Sequence, residues 1–232
     1  MPLLPGDARV RAAINTGFLD AGGAAPTADE LSDLSQRSRD DVFDSLRRLD
    51  RAGSIALRPG TLDLWIAPPF AAVPTLFRVD AGGRHYWASS AWSALAVAAL
   101  VDDAEVTVRS ALGGEATELT LRVGPDGPID AGDEVVHFPV PAQRWSEGLV
   151  YTEATTLFFA SSDDVDAWSE RHRLPRGETV PVAQAFALAK AYFGDAREVA
   201  AHQRHRSDLE AMFRAVGLDG RFWALRPDRS LT

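Results

Sequence analysis

The chain has no cysteine in its 232 residues. That absence excludes disulfides, thiolate metal centres, iron–sulfur clusters and cysteine nucleophiles together. Lysine is almost missing too. Lys190 is the only one, and arginine supplies the rest of the positive charge, a usage that reads as genome composition rather than function. Positive charge is in deficit, with a formal net charge of -9, which disfavours non-specific binding to a phosphate backbone. No run approaches the roughly 18 apolar residues of a membrane span. The opening MPLLPGDAR has no basic region followed by a long apolar stretch, so no secretory signal is expected and a cytoplasmic location is. There is no G-x-S-x-G, no P-loop and no G-x-G-x-x-G. Repeats and low-complexity segments are also lacking.

What is present is an ordinary globular composition, 46% hydrophobic and 25% charged. The length suits one large domain or two small ones. Residues 1–70 read as a compact winged-helix-like unit. DARVRAAINTGFLDAG gives a first helix. Thr27 with Glu30 is a capping box that opens a second. Residues 38–52 form a third, with Val42, Phe43, Leu46 and Leu49 on one face. SIALRPGTLDLWIAP then reads as a hairpin turning at Pro59-Gly60. The third helix carries Arg39, Arg47, Arg48 and Arg51, but Asp40, Asp41, Asp44 and Asp50 lie among them. That mixture reads as a solvated face more than a DNA-binding one.

PPFAAVPT (68–75) reads as a connection between units. Residues 71–232 form the second domain, with a different texture. LFRVD, RHYWA, AEVTVRSA, TELTLRV and EVVHFPVP are short β-like segments between glycine-rich turns. Residues 90–101 are an apolar helix. LVYTEATTLFFAS (149–161) is nearly continuous in apolar and threonine residues and is expected to be a central strand. Three helices close the chain: SDDVDAWSERH capped by Ser162 or Asp163, PVAQAFALAKAYF, and a long one over REVAAHQRHRSDLEAMFRAVG. The expected fold class is α+β, with the winged-helix-like unit followed by a mixed β-sheet core flanked by helices.

Candidate chemistry gathers at two places. RHYWASSAWSAL (84–95) runs from an aromatic strand end into a helix. Ser89 or Ser90 there is either a simple N-cap or a fixed, reachable functional group, with Ser93 one turn on. Glu153 is the only charge in its apolar segment. A buried carboxylate there should have a raised pKa suited to general acid–base work. The alternative is a twist that turns it to solvent or to an arginine partner. Among the five histidines, His202, His205 and Asp208 would form a stripe three residues apart on one helix, which is more often a surface face than a metal site. His85 and His137 lie in β segments and either line a pocket or are satisfied locally. No metal or other cofactor is expected.

The motifs together resemble the alkylmercury lyase (organomercurial lyase) family over nearly the whole chain. The family's P-x-x-x-x-P-T connector reads PFAAVPT here. Its Y-x-x-x-C-A-W-D-A-L-like segment reads YWASSAWSAL. Its T-C-A-T-like strand, with F-F-x-S and a tryptophan-bearing helix, reads TEATTLFFASSDDVDAW, and its late G-L-x-G-x-F-W reads GLDGRFW. The resemblance implies an alkylmercury-lyase-like fold for 71–232. In the family, two cysteine thiolates capture the organic mercury and an aspartate helps deliver the proton that releases the hydrocarbon. Aligned by motif, those positions are Ser90 and Glu153 for the cysteines and Ser93 for the aspartate, so all three are replaced. Mercury(II) is soft and demands sulfur, whereas hydroxyl and carboxylate are hard oxygen ligands. The resemblance therefore implies the family's scaffold without its carbon–mercury chemistry.

The expected site is a pocket holding Glu153, Ser90 and Ser93 as the catalytic set. Tyr86, Trp87, Trp92, Tyr151, Phe158 and His85 would contact a small organic substrate or ligand. Lyase-, isomerase- or cyclase-type acid–base chemistry is the first reading. A ligand-sensing, regulator-like protein using the winged helix without catalysis is the second, and a structural paralogue the third. Neither nucleic acid nor a membrane is expected as partner, and a homodimer is left open.

Overall fold

The computed structural model describes residues 3–101, 103, 106–113, 117–129 and 131–225. Its order is α1 (Pro5–Asp20), α2 (Ala28–Ser35), α3 (Arg39–Arg51), then β1 (Ala56–Leu57), β2 (Leu64–Ala67), β3 (Phe70–Ala71), β4 (Phe77–Ala81) and β5 (Arg84–Ala88). Next come α4 (Ala91–Leu100), β6 (Val106–Ala111), β7 (Glu118–Gly124), β8 (Gly127–Pro128) and β9 (Val135–Phe138). The chain ends with α5 (Leu149–Thr155), β10 (Leu157–Phe159), α6 (Ser162–His172), β11 (Glu178–Pro181), α7 (Val182–Phe193) and α8 (Arg206–Ala215), with 3-10 turns at Ala142–Glu147 and Val199–Gln203. The first two residues of the strand expected over 104–111 lie outside the described residues.

Local chemistry explains the N-terminal elements. Glu30 Oε2 accepts the Thr27 N–H at 2.6 Å while Thr27 Oγ1 accepts the Glu30 N–H at 3.3 Å, the reciprocal box that opens α2. Ser38 Oγ accepts the Asp41 N–H at 3.2 Å and opens α3. The arginines of this region are largely spoken for. Arg37 pairs with Asp41, Arg39 with Asp29, Arg47 with Asp44, and Arg48 reaches Asp7 on α1 at 2.8 Å. Three helices followed by a hairpin therefore stand as expected in order.

One sheet has eight strands in the order β1-β2-β3-β5-β4-β6-β7-β8, and a second has three in the order β10-β9-β11. Every described pairing is antiparallel. The core is thus antiparallel where a mixed sheet was expected, because short turns rather than long crossovers join most neighbouring strands. The proline-rich 68–75 is also more than a connection. It turns at the cis Pro68–Pro69 bond and carries β3, which pairs β2 on one side and β5 on the other.

Helix α4 is apolar on all sides and buried from Ala91 to Ala98, as a helix clad all round must be. It packs on α7 and on the sheet. Helix α1 is buried over much of its circumference, including Arg11 and Asn15. It packs against α2, α3 and the 199–203 turn, and its Phe18 ring stacks on Phe70 of β3 at 4.9 Å. Gly23 follows this helix with φ +102°, where a Cβ would lie 2.4 Å from the His85 carbonyl oxygen. Only glycine allows the α1 terminus to approach β5 this closely.

Three expectations along the chain are corrected. Residues 149–161 are helix α5 and then the short strand β10, not one strand. Buried Thr152, Glu153 and Thr156 recur at helical spacing, and threonine hydroxyls turn back onto the helix, Thr155 Oγ1 to Tyr151 O at 2.7 Å and Thr156 Oγ1 to Thr152 O at 2.8 Å. That local bonding lets β-branched residues sit in a helical turn. The expected long C-terminal helix is a 3-10 turn and then α8, so His202 and His205 share no helical stripe. The His202 ring bonds the Ala196 carbonyl at 2.9 Å, and the His205 backbone N–H donates to Asp208 at 2.9 Å. Helix α6 is capped by Ser161, whose Oγ accepts the Asp164 N–H at 3.3 Å, one residue before the expected caps.

Because α1 is shared between the helical unit and the sheet, the protein should unfold as one cooperative unit. Phe70→Ala should cost about 3–5 kcal/mol and lower the urea midpoint of far-UV circular dichroism and tryptophan fluorescence together. Two separated transitions would show that residues 1–70 fold apart from the rest.

Candidate active site

The site lies where β5 passes into α4. Ser90 has extended backbone and caps α4, its Oγ accepting the Ser93 N–H at 3.1 Å. Ser89 and Ser93 are four residues apart and share one face of this junction. Helix α5 is held against the same point, because the Ala91 N–H donates to the Thr156 carbonyl at 3.0 Å. This places Glu153 beneath the two serines. Ser89 Oγ donates to Glu153 Oε2 at 2.6 Å and Ser93 Oγ to the same oxygen at 2.9 Å. The two hydroxyl oxygens are 3.0 Å apart. All of these side chains are buried.

Each serine supplies one proton, and the two protons suffice for the two bonds to Glu153 Oε2, an arrangement that stabilises the carboxylate. Burial acts against it and pushes the Glu153 carboxyl above the ordinary carboxylate range. The hydroxyls of Ser89, Ser90 and Ser93 and the charge of Arg11 oppose it only in part. No described hydrogen bond reaches Glu153 Oε1.

Further polar groups are buried around this centre. Arg11 of α1 donates to Asn15 Oδ1 at 2.8 Å and to the Pro68 carbonyl. Asn15 in turn donates to the Ala196 carbonyl at 2.9 Å. The adjoining Pro69 carbonyl accepts the Ser89 N–H at 3.1 Å, so the Pro–Pro turn joins Arg11 to the serines. Burial raises the Tyr192 phenol, with Arg204 and Arg11 opposing and Glu153 adding to the rise. His202 is pushed down to about 4, first by burial and then by Arg11.

The expected residues are only partly brought together. Ser93 and Glu153 meet directly. Ser90 is beside them but serves as the cap, and Ser89 takes the place at the carboxylate. Trp92 is buried among Phe138, Trp145, Tyr192 and Phe193, with ring centroids 5.1–5.8 Å away, and its indole N–H has no partner among the described residues. Phe158 is fully buried with its edge toward Phe77, and Tyr86 is buried against Phe70. His85 and Trp87 lie on the other face of β5, edge to face at 6.2 Å. Tyr151 is 52% exposed, on the side of α5 away from Glu153. His137 is buried in β9, its Nε2 bonded to the Arg176 carbonyl at 2.6 Å. A separate open groove of about 820 Å³ lies between α2, α3 and the β1–β2 hairpin, lined by Phe43, Leu46, Arg39, Arg47 and Arg58 among others.

Sequence reasoning missed Ser89 as a partner of Glu153, and missed Arg11, Asn15 and Tyr192 altogether. A signal existed for two of them: Arg11 and Asn15 are four apart in an otherwise apolar stretch of α1, one face of a helix. Among the described residues no group of three or more His, Asp or Glu could hold a metal ion, and no helix is long and apolar enough to cross a membrane.

Helices packed on antiparallel sheets, with a buried acid under a strand-to-helix junction, define an α+β protein with one polar centre. The family model for alkylmercury lyase matches residues 70–194, more than half of the chain, and the chain belongs to that family. Its fold is similar to the crystal structure of the mercury-bound form of MerB2, with a TM-score of 0.66, 20% sequence identity, and coverage of 81% of this chain and 89% of that one. No curated protein matches the chain.

The raised Glu153 pKa has a defined sign for stability. A carboxyl that binds its proton more tightly in the folded state adds stability fully present below its ordinary value of 4.5. That stability is lost as pH rises through the folded value. Glu153→Gln, which mimics the neutral acid, should therefore become more stable than wild type as pH rises toward neutrality, with the gap closing in acid. Thermal melts of both proteins from pH 4 to pH 8 check this, and a pH-independent gap would place an ionised Glu153 in the folded protein.

Proposed function

We propose that this family member uses Glu153 as a general acid–base group on a small organic substrate, in lyase-, isomerase- or cyclase-type chemistry, and does not cleave carbon–mercury bonds. The observation that carries this reading is the convergence of Ser89 and Ser93 on a single oxygen of a buried Glu153. Burial makes this carboxyl a weaker acid than usual, which suits it to exchanging a proton with a substrate, and the two hydroxyls stabilise the carboxylate form. Proton transfer of this kind contributes about 10²–10⁴-fold to a rate.

Loss of mercury chemistry follows from ligand type. The aligned thiolate positions carry Ser90 and Glu153, and no other cysteine exists to stand in. Hard oxygen donors do not compete for a soft mercury(II) ion. The regulator-like alternative has less support. Arg37, Arg39, Arg47 and Arg48, on and beside α3, are paired with aspartates, which reduces the free positive charge offered to a nucleic acid backbone.

Two measurements test the reading. The pure protein should release no benzene from phenylmercury, and measurable protonolysis would sink this half of the proposal. In D₂O, a panel of small organic compounds followed by NMR should include at least one whose carbon-bound hydrogen exchanges in the presence of wild type. The rate should fall roughly 10²-fold or more in Glu153→Gln. Exchange at the same rate in the variant, or none with any compound, would remove Glu153 from an acid–base role.

A further inference from the structure

Arg11 is the residue of this buried centre that packing alone does not explain. It lies on α1 and is 5% exposed. A guanidinium is expensive to take out of water, and a well-packed apolar side chain of similar volume is often at least as stable in its place. Burial pulls its pKa down to about 10, and the group stays charged at neutral pH. Its bonds run two ways. One terminal nitrogen donates to Asn15 Oδ1 at 2.8 Å and the other to the Pro68 carbonyl. Asn15 Nδ2 donates in turn to the Ala196 carbonyl at 2.9 Å. The guanidinium is therefore anchored on its own helix and holds a carbonyl of another segment.

The chain of bonds continues to the acid. The next carbonyl, that of Pro69, accepts the Ser89 N–H at 3.1 Å. Three acceptors stand around the Ser89 hydroxyl: the Pro69 carbonyl at 3.5 Å, Ser93 Oγ at 3.0 Å and Glu153 Oε2 at 2.6 Å. A hydroxyl has one proton to give. Where the Pro69 carbonyl stands decides how far it competes with the carboxyl for that proton, and the carbonyl beside it is the one Arg11 holds. The other titratable groups near Arg11 are Tyr192 of α7, His202 of the 199–203 turn, and Arg204 paired with Asp195. Among the described residues none of these bonds to Glu153, so the Pro68–Pro69 turn is the bonded route from Arg11 to the acid.

We propose that Arg11 is a positioning residue of the acid–base centre: by holding the Pro68 carbonyl it fixes the Pro68–Pro69 turn, and with it Ser89, so that the Ser89 hydroxyl proton is committed to Glu153. The fork matters because Asn15 and Pro68 belong to different elements. A planar guanidinium bonds both at fixed angles, which a flexible ammonium does not. Arg11 acts through Ser89 and gives α1, an element of the N-terminal helical unit, a part in setting the proton affinity of the acid. This inference rests on Glu153 being the acid–base group, and it adds the device that tunes it.

The test reads the Glu153 carboxyl directly, by NMR of the full chain labelled with carbon-13 at the glutamate carboxyls, the resonance being assigned by its loss in Glu153→Gln. Ser89→Ala should raise the titration midpoint by about one pH unit, because it removes a hydrogen bond that favours the carboxylate. Arg11→Met, which keeps the apolar stem without the fork, should raise it by a similar amount, and Arg11→Lys should restore only part of the shift. Added to Ser89→Ala, Arg11→Met should raise the midpoint much less than it does alone, since both break one chain of bonds. A merely structural Arg11 would lower Tm and leave the midpoint in place, which overturns the inference. An equal rise from Arg11→Met with and without Ser89, or full rescue by Arg11→Lys, overturns it too, because the effect is then one of charge alone. Should Arg11→Met fail to fold, Asn15→Leu frees the other side of the fork and is judged by the same midpoint, alone and combined with Ser89→Ala. The acid–base reading fails separately: midpoints that follow this pattern, with no deuterium exchange in any compound, remove the catalysis and leave Arg11 as the residue that positions Ser89.

Discussion

The structure depends on keeping one acid and one guanidinium dry at the same place. Ionisable groups taken out of water must be hydrogen-bonded, paired or neutralised, and the surrounding elements are arranged to do this for Glu153. Helix α4 starts where it does because Ser90 caps it, and that start sets Ser89 and Ser93 on one side. Helix α5 is pinned by a backbone bond at its end, so Glu153 arrives under both hydroxyls. The Pro–Pro turn gives one carbonyl to Arg11 and the next to Ser89. Breaking any of these supports would leave a buried polar group without a partner.

Within this member of the alkylmercury lyase family, the buried centre is built from oxygens alone. Ser93 and Glu153 are in direct contact, and Ser89 joins them at hydrogen-bonding distance. Hydroxyls and a carboxyl satisfy one another through hydrogen bonds, and hard oxygen donors of this kind give a soft metal ion little hold.

Several features were legible in the chain because their causes are local. The capping box at Thr27 and Glu30, the amphipathic α3 and the apolar α4 all follow from short-range bonding or periodicity, and all stand. The segment 149–161 was misread because threonine and aromatic residues resemble a strand when counted by type. Its helical turn depends on hydroxyls bonding back to the preceding turn. The C-terminal histidines were misread because their helix breaks at the 3-10 turn, which packs on α1, a contact made with the opposite end of the chain.

The candidate site divides in the same way. Composition alone established that no thiolate chemistry is available, because cysteine is absent, and the lone charge at Glu153 in an apolar segment marked a carboxyl whose burial would matter. Those conclusions need only residue identity. That Ser89 rather than Ser90 faces the carboxyl was decided by a rotation of one residue at the start of α4. That Arg11 shares the same buried centre was decided by α1 packing between the helical unit and the 199–203 turn. Both are set by contacts between residues far apart in the chain, and long-range packing is what a linear pattern of residue types does not encode.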